Sequence, residues 1–356
     1  MNVDLIGGGN AQGELAALAV NGKMNPNMMR PFVHTDGKSY ITVFKGGDPK
    51  KVENYAVQLV NNATLRRDEW KSLDEAVQRI SEQRLVGITD LVSAGLIFNL
   101  GNAMGTTVLE HHSMGDALSA ELSMDGITRG KNDRPEYKTH YLPIPIIHVD
   151  YQLNMRVLEA SRKLGNPLDT TLAERAARKV SEKLEDMLFT NVDYAFGGGT
   201  IYSYINHPDR NKVTLATGWD DSAATPAKII ADVIALKQAS INANHYGPWV
   251  LYVPTAYDTV LDEDYDTSGT STQTIRQRIQ SISGISKVVV ADKLAADNVV
   301  LVQMTSDVVR LVRGMGVTNV EWKSEGNMVT NYKVMTIQVP QIRSDADGKS
   351  GIVHLA

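Results

Sequence analysis

Asp262-Glu-Asp-Tyr-Asp266 sets acidic groups at alternate positions, the way a calcium-binding loop does. Such a loop needs glycine at its sixth position and glutamate at its twelfth, where this chain has Thr267 and Gln273. A solvated acidic loop is the simpler reading. Glu110-His111-His112 brings carboxylate and imidazole together. Neighbouring strand residues point to opposite faces, however, so the pair is poorly placed to share a metal ion. The remaining six histidines are scattered, and His148, inside an apolar run, reads as a hydrogen-bonded core histidine. Gly7-x-Gly9 would need a third glycine at position 12 to be a dinucleotide loop, and Gln12 stands there. Asn62-Ala-Thr64 spells a glycosylation acceptor, which means nothing without a secretory signal. No G-x-S-x-G elbow, P-loop or H-E-x-x-H occurs. The expectation is no catalytic, cofactor-binding or metal-binding residue, and no enzyme.

The elements that would position any site are clearer. Leu142-Pro-Ile-Pro-Ile-Ile-His-Val149 is an apolar run whose prolines forbid a helix and suit an edge strand. A short helix is expected near Gln152–Leu164. A long one follows, opened by the capping-box pattern Thr171-x-x-Glu174, with Asp169 and Thr170 as alternative caps. Leu172, Ala176, Val180, Leu184 and Met187 or Leu188 fall on one stripe of it. Arg175, Arg178, Lys179, Glu182, Lys183, Glu185 and Asp186 fill the other positions, and Ala173, Ala176 and Ala177 leave room for a close neighbour. Gly197-Gly-Gly199 calls for a loop. By pattern alone this is the core of some α/β domain.

The order of residues adds a resemblance. Leu142-Pro-Ile-Pro-Ile-Ile-His-Val-Asp-Tyr-Gln-Leu, Asn166-Pro-Leu-Asp-Thr-Thr-Leu-Ala-Glu-Arg-Ala-Ala and Lys183-Leu-Glu-Asp-Met-Leu-Phe189 resemble the encapsulin (linocin-like) family. There a "P-F-x-L-S-R" strand leads into a long spine helix and an "E-D-x-x-I-F" ending. Gln152 and Leu153 stand where that family has Ser-Arg. The resemblance implies the Hong Kong 97-type fold, an α+β fold shared with the major capsid proteins of tailed phages.

The rest of the chain sorts on that frame. Residues 1–66 read as an N-terminal arm, with glycine and proline breaks around a hairpin made of Phe32-Val-His, a turn at Asp36-Gly37, and Ser39 to Phe44. Residues 67–97 read as a helix capped by Asp68, with Trp70, Leu73, Ala76, Val77, Ile80 and Leu85 on its stripe, and a following strand. Residues 98–141 are strand-like but polar, longer than a compact domain needs, and stand where the resemblance places the extended E-loop. Residues 142–215 and 314–342 would form the peripheral domain, with its spine helix at 170–189. Residues 216–313 would form the axial domain. In it, Pro226 begins a helix with Ile229, Ile230, Val233, Ile234 and Ile241 inward, and Trp249–Val253 is a strand. Residues 343–356 read as a polar tail with a short apolar end.

Composition narrows the function. With 36 basic and 41 acidic residues interspersed, net charge is −5, which argues against coating nucleic acid by bulk charge. The absence of cysteine excludes disulfides and zinc–thiolate sites. Met1-Asn-Val-Asp-Leu-Ile lacks the pattern of a signal peptide, and no apolar run approaches the length of a membrane span. The expectation is a soluble protein made in a cytoplasm and needing no cofactor. The resemblance implies a major capsid protein that self-assembles as pentamers and hexamers into an icosahedral phage head. Its partners would be neighbouring subunits, portal, scaffold or decoration proteins, and double-stranded DNA touched non-specifically. An encapsulin nanocompartment around a cargo enzyme is the alternative; encapsulins begin close to their first helix, and this chain has about 66 residues before it. An α/β enzyme of another family remains the third reading.

Overall fold

The computed structural model describes residues 4–5, 9–10, 32–42, 56–59, 67–84, 86–101, 103–114, 124, 137–156, 170–265, 273–324 and 328–356. In chain order the first strands are β1 (Asp4–Leu5), β2 (Gly9–Asn10), β3 (Phe32–Val33), β4 (Ser39–Thr42) and β5 (Ala56–Leu59). Helices α1 (Arg67–Arg84) and α2 (Val86–Ser93) follow, then β6 (Ile97–Asn99), β7 (Val108–Met114), β8 (Tyr137–Pro143) and β9 (Ile147–Asn154). The long helix is α3 (Thr171–Phe189), trailed by β10 (Ala195–Phe196), β11 (Gly199–Thr200) and β12 (Asn211–Val213). Next come α4 (Pro226–Asn242), β13 (Trp249–Val253), α5 (Asp258–Leu261), α6 (Ile275–Gln280), β14 (Ile285–Val290) and β15 (Val299–Gln303). The chain closes with β16 (Val309–Ser324), β17 (Val329–Ile342) and β18 (Ile352–Leu355).

Two sheets carry the architecture. One has the order β6-β16-β17-β9, with β9 on its edge; the other runs β12-β18-β15-β13-β14. Helix α3 lies against β17 and β9 on one side and α1 on another. Ala173, Ala176, Ala177, Val180, Leu184 and Leu188 are all buried there. The small alanines let α1 approach, as the sequence implies.

The five-stranded sheet is covered on both faces. Val250, Tyr252, Val300, Val302 and Ile352 join the core that holds α3. Trp249, Leu251, Val253, Val299, Leu301, Val353 and Leu355 point the other way, into a second core with Ile229, Ile230, Val233 and Leu236 of α4. Alternate residues thus serve alternate cores, which is why these strands are apolar at nearly every position.

Several sequence expectations need correction. Residues 343–356 are not a tail, because β18 is hydrogen-bonded between β12 and β15 inside the five-stranded sheet. That sheet therefore draws on both sides of the expected 216–313 unit. The stretch after α1 is the helix α2, and the strand begins only at Ile97; Gly87, Ile88 and Leu91 bury a helical face there. Asp68 lies inside α1 rather than capping it. The 142–149 run is split: β8 ends at Pro143 and β9 starts at Ile147. Gln152–Asn154, expected in a short helix, finish β9, and the rest of that helix falls outside the described residues except Met155 and Arg156. In α3 the cap is Thr170, without a side-chain cap bond, and Leu172 is exposed while Glu185 is buried. Ile234 is exposed and Leu236 takes the inward position. His148 is about half exposed beside Asp150, so it is no core histidine. The strand expectations at 32–33 and 39–42 hold, with β3 and β4 antiparallel across the Asp36-Gly37 turn. Most of residues 1–66 lies outside the described residues.

Candidate functional site

The β7–β8 hairpin is exposed along much of its length and joins the main core near its root, through Leu109 and Leu142. The strands pair antiparallel from Val108–Pro143 to Met114–Tyr137. Gly199 of the neighbouring β10–β11 turn sits so close that a Cβ there would lie 2.0 Å from the Tyr141 carbonyl oxygen. Gly197 and Gly198 take φ of 60° and 82°, the left-handed turn conformation that glycine adopts freely. The Lys138 ammonium donates to the Ala346 carbonyl, and the Ile144 amide to Thr107. Farther out, Met114 and Tyr137 are 57% and 65% exposed, and Tyr141 and Phe196 also face solvent.

A cleft of about 230 Å³ lies at this root, lined by His111 and His140 of the hairpin, Tyr202, His207 and Asp209, and by Gln341 near the end of β17. The His111 and His140 rings stack at 5.2 Å, and Ser113 Oγ is 2.9 Å from His140 Nε2. His207 packs edge-on against Tyr202, and its Nδ1 accepts from the Asp209 amide. Burial pushes the His111 imidazole down to about 4, helped by His140, Arg343 and Arg310. Burial likewise takes His207 down to about 4, against the opposing pull of Asp209. Both rings are therefore neutral at pH 7. His112 points away, towards Thr139 and Glu110.

This arrangement has no nucleophile backed by a base and an orienting group. Among the described residues no group of three or more His, Cys, Asp or Glu is placed to hold a metal. Asp262, from the acidic run, is held with Asp258 by Arg276, and Asp266 lies outside the described residues. The cleft lies where the hairpin meets the end of β17 and the segment after β11. His140 and His207 carry no sequence signal of their own; the β7–β8 register sets His140 opposite His111, and His207 reaches the cleft from the segment between β11 and β12.

A pH dependence follows with a definite sign. Each histidine titrates near 6.5 when unfolded and near 4 when folded. Stability is full above about pH 6.5 and declines as pH falls towards 4. After discounting for solvent screening, the loss at pH 5 should be about 1 kcal/mol for the pair. Denaturant titrations at pH 7 and pH 5 measure it, and His111→Phe should remove part of the difference.

Comparison with known proteins gives this frame a family. A family model described as a family of unknown function, DUF6260, matches residues 60–355. The chain belongs to the DUF6260 family. This DUF6260 chain is similar to a diheme-cytochrome-encapsulin shell fusion protein of Kuenenia stuttgartiensis, 27% identical over 135 residues, or 38% of this chain and 35% of that one. It is also similar to the type 1 encapsulin shell protein EncA of Myxococcus xanthus, 23% identical over 218 residues, covering 60% of this chain and 69% of EncA. The match thus spans about a third of the first relative's length. Among solved structures, a virus-like particle from Pyrococcus furiosus superimposes with a TM-score of 0.59 at 18% identity, over 81% of this chain and 99% of that one. The capsid of Myoviridae phage XM1 gives 0.57 at 11% identity, over 74% and 90%. The DUF6260 chain has the Hong Kong 97-type fold, in its encapsulin-like form. No helix among its described residues is long and apolar enough to cross a membrane.

Proposed function

We propose that copies of this chain close into an icosahedral shell, and that the shell is a phage head around double-stranded DNA. One observation carries the shell reading: a hairpin anchored at its root on a capsid-type fold, with Met114 and Tyr137 exposed at the far end of its described strands. In a lone subunit these side chains stand in water; laid over a neighbour they are covered. Apolar area covered this way contributes about 25 cal/mol per Å², less the cost of ordering the loop. The role is mechanical. Pentamers and hexamers assembled in a host cytoplasm, with portal, scaffold or decoration proteins and non-specific contact to DNA, complete this reading.

The phage reading is supported by residues 1–59, which precede the family match and hold all three strands of the β3-β4-β5 sheet. A second reading, an encapsulin compartment around a cargo enzyme, is favoured by the names of the curated relatives. Electron micrographs of the purified chain should show closed particles, and nuclease-protected DNA in particles from infected cells separates a head from a cargo shell. Because Met114 pairs with Tyr137, residues 115–136 can be replaced by Asn-Gly, a two-residue hairpin turn. The shortened chain should be a folded monomer that builds no particles. Normal particles from it, or a chain that stays monomeric at full length over a wide range of protein and salt concentrations, would sink the proposal.

A further inference from the structure

Glu185 is the buried ionisable position of α3, and its surroundings satisfy only part of its chemistry. The long helix buries this carboxyl to 5% exposure, where it meets the start of α2. Its Oε1 accepts from the Gly87 amide at 2.8 Å, and the Ile88 amide also faces it, so the carboxyl caps the first turn of α2. Its Oε2 has no partner, and neither has the Tyr204 hydroxyl, also buried. Contact between the helices is tight here: a Cβ on Gly87 would lie 2.8 Å from the Phe189 ring.

The charges around it are already committed. Asp90, one turn along α2, accepts from the Tyr252 hydroxyl of β13 and pairs with Lys287 of β14. Lys293, after β14, pairs with Asp186 at 3.2 Å. Asp292 adds a further negative charge. Tyr204 and Tyr252 are held protonated by burial. Among the described residues, a charged Glu185 would therefore sit in the core beside the Asp90 carboxylate with only amide dipoles to balance it.

We propose that Glu185 is a proton-operated clasp: protonated, it stays buried and pins the first turn of α2 to α3, and ionised, it parts from that turn to reach water, because an unpaired charge in the core costs more than its stronger amide bonds return. The element released matters, because α2 alone carries the Asp90 bonds to β13 and β14. Loosening it slackens the tie between the long helix and the five-stranded sheet. Burial, reinforced by Asp90 and Asp292 and opposed by the two amides, raises the carboxyl to about 8. Its unfolded value is 4.5. The contribution is thus fully present below about pH 4.5 and is lost as pH rises through about 8. The inference rests on the fold alone and stands whichever shell is built.

Amide hydrogen exchange at Gly87 and Ile88 tests it on the full chain between pH 6.5 and 9.5, after correction for the intrinsic pH dependence of exchange. Protection should fall at least tenfold across pH 8 in the wild type. In Glu185→Gln, which keeps an acceptor for both amides but cannot ionise, protection should stay flat. Unchanged protection in the wild type, or the same fall in the Gln variant, overturns the proposal. Should the variant fail to fold, infrared spectroscopy of the wild type decides: a protonated-carboxyl band must be present at pH 6.5 and vanish across pH 8. A carboxyl already ionised at pH 6.5 refutes the clasp.

Discussion

Val180→Asp should leave almost no soluble, folded chain. Val180 is wholly buried at the middle of the α3 stripe, with Ala176, Ala177 and Leu184 around it on the same face. The substitution removes a packed side chain and puts a carboxylate where no partner waits, a change of about 5 kcal/mol. Domains of this kind are stable by only about 5–15 kcal/mol in total, so the loss approaches the whole. Glu182→Ala is the control on the same helix. Its side chain is partly exposed and its carboxylate pairs with Lys179 at 2.6 Å, a contact worth about half a kcal/mol. Soluble yield and denaturant midpoints of the two variants give the comparison. Equal losses would mean that the buried face has been misassigned.

Deleting residues 351–356 should be nearly as damaging, although they lie at the chain's end. Ile352, Val353 and Leu355 are fully buried, and β18 pairs in parallel with β12 and antiparallel with β15. Its removal exposes two strand edges in the sheet and opens both cores at once. Three large side chains at about 2 kcal/mol each, plus the lost ladder, amount to roughly 6–8 kcal/mol. Circular dichroism and thermal melting of the truncated chain are the measurements. An unchanged melting temperature would refute the placement of β18.

The long helix, the N-terminal hairpin and the apolar strands were legible because their signals are local: a cap, a turn pair, a period. What escaped the sequence depends on distant partners. Ile352–Leu355 is too short to look like more than a frayed end, and its neighbours at Asn211–Val213 and Val299–Gln303 are far along the chain. Val86–Ser93 has β-branched residues that suit a strand, yet Gly87 lets it lie on Phe189 as a helix, where packing overrides propensity. Glu185 looked solvent-facing because one stripe suffices for a helix with a single covered side. Here α1, α2 and both sheets surround α3, so its buried arc is wider than the apolar pattern. At the hairpin root, the sequence sets His111 beside His112, but the ring it stacks on is His140 across the strand.

The long β16–β17 ribbon carries an arithmetic of its own. Its register shifts twice, between Arg313 and Met315 and between Met315 and Thr318, each time by one extra residue on β16. A single such insertion turns every later side chain of a strand to the opposite face. Two in succession restore the original parity. Val309 to Arg313 and Thr318 to Ser324 therefore address β17 with the same odd–even phase, although the ribbon is interrupted between them. The interruption can bend and twist the ribbon near Gly314 and Gly316 while the inside and outside of its two halves stay matched. In this stretch, changes of length by two preserve the phase of the distal half, and changes by one invert it.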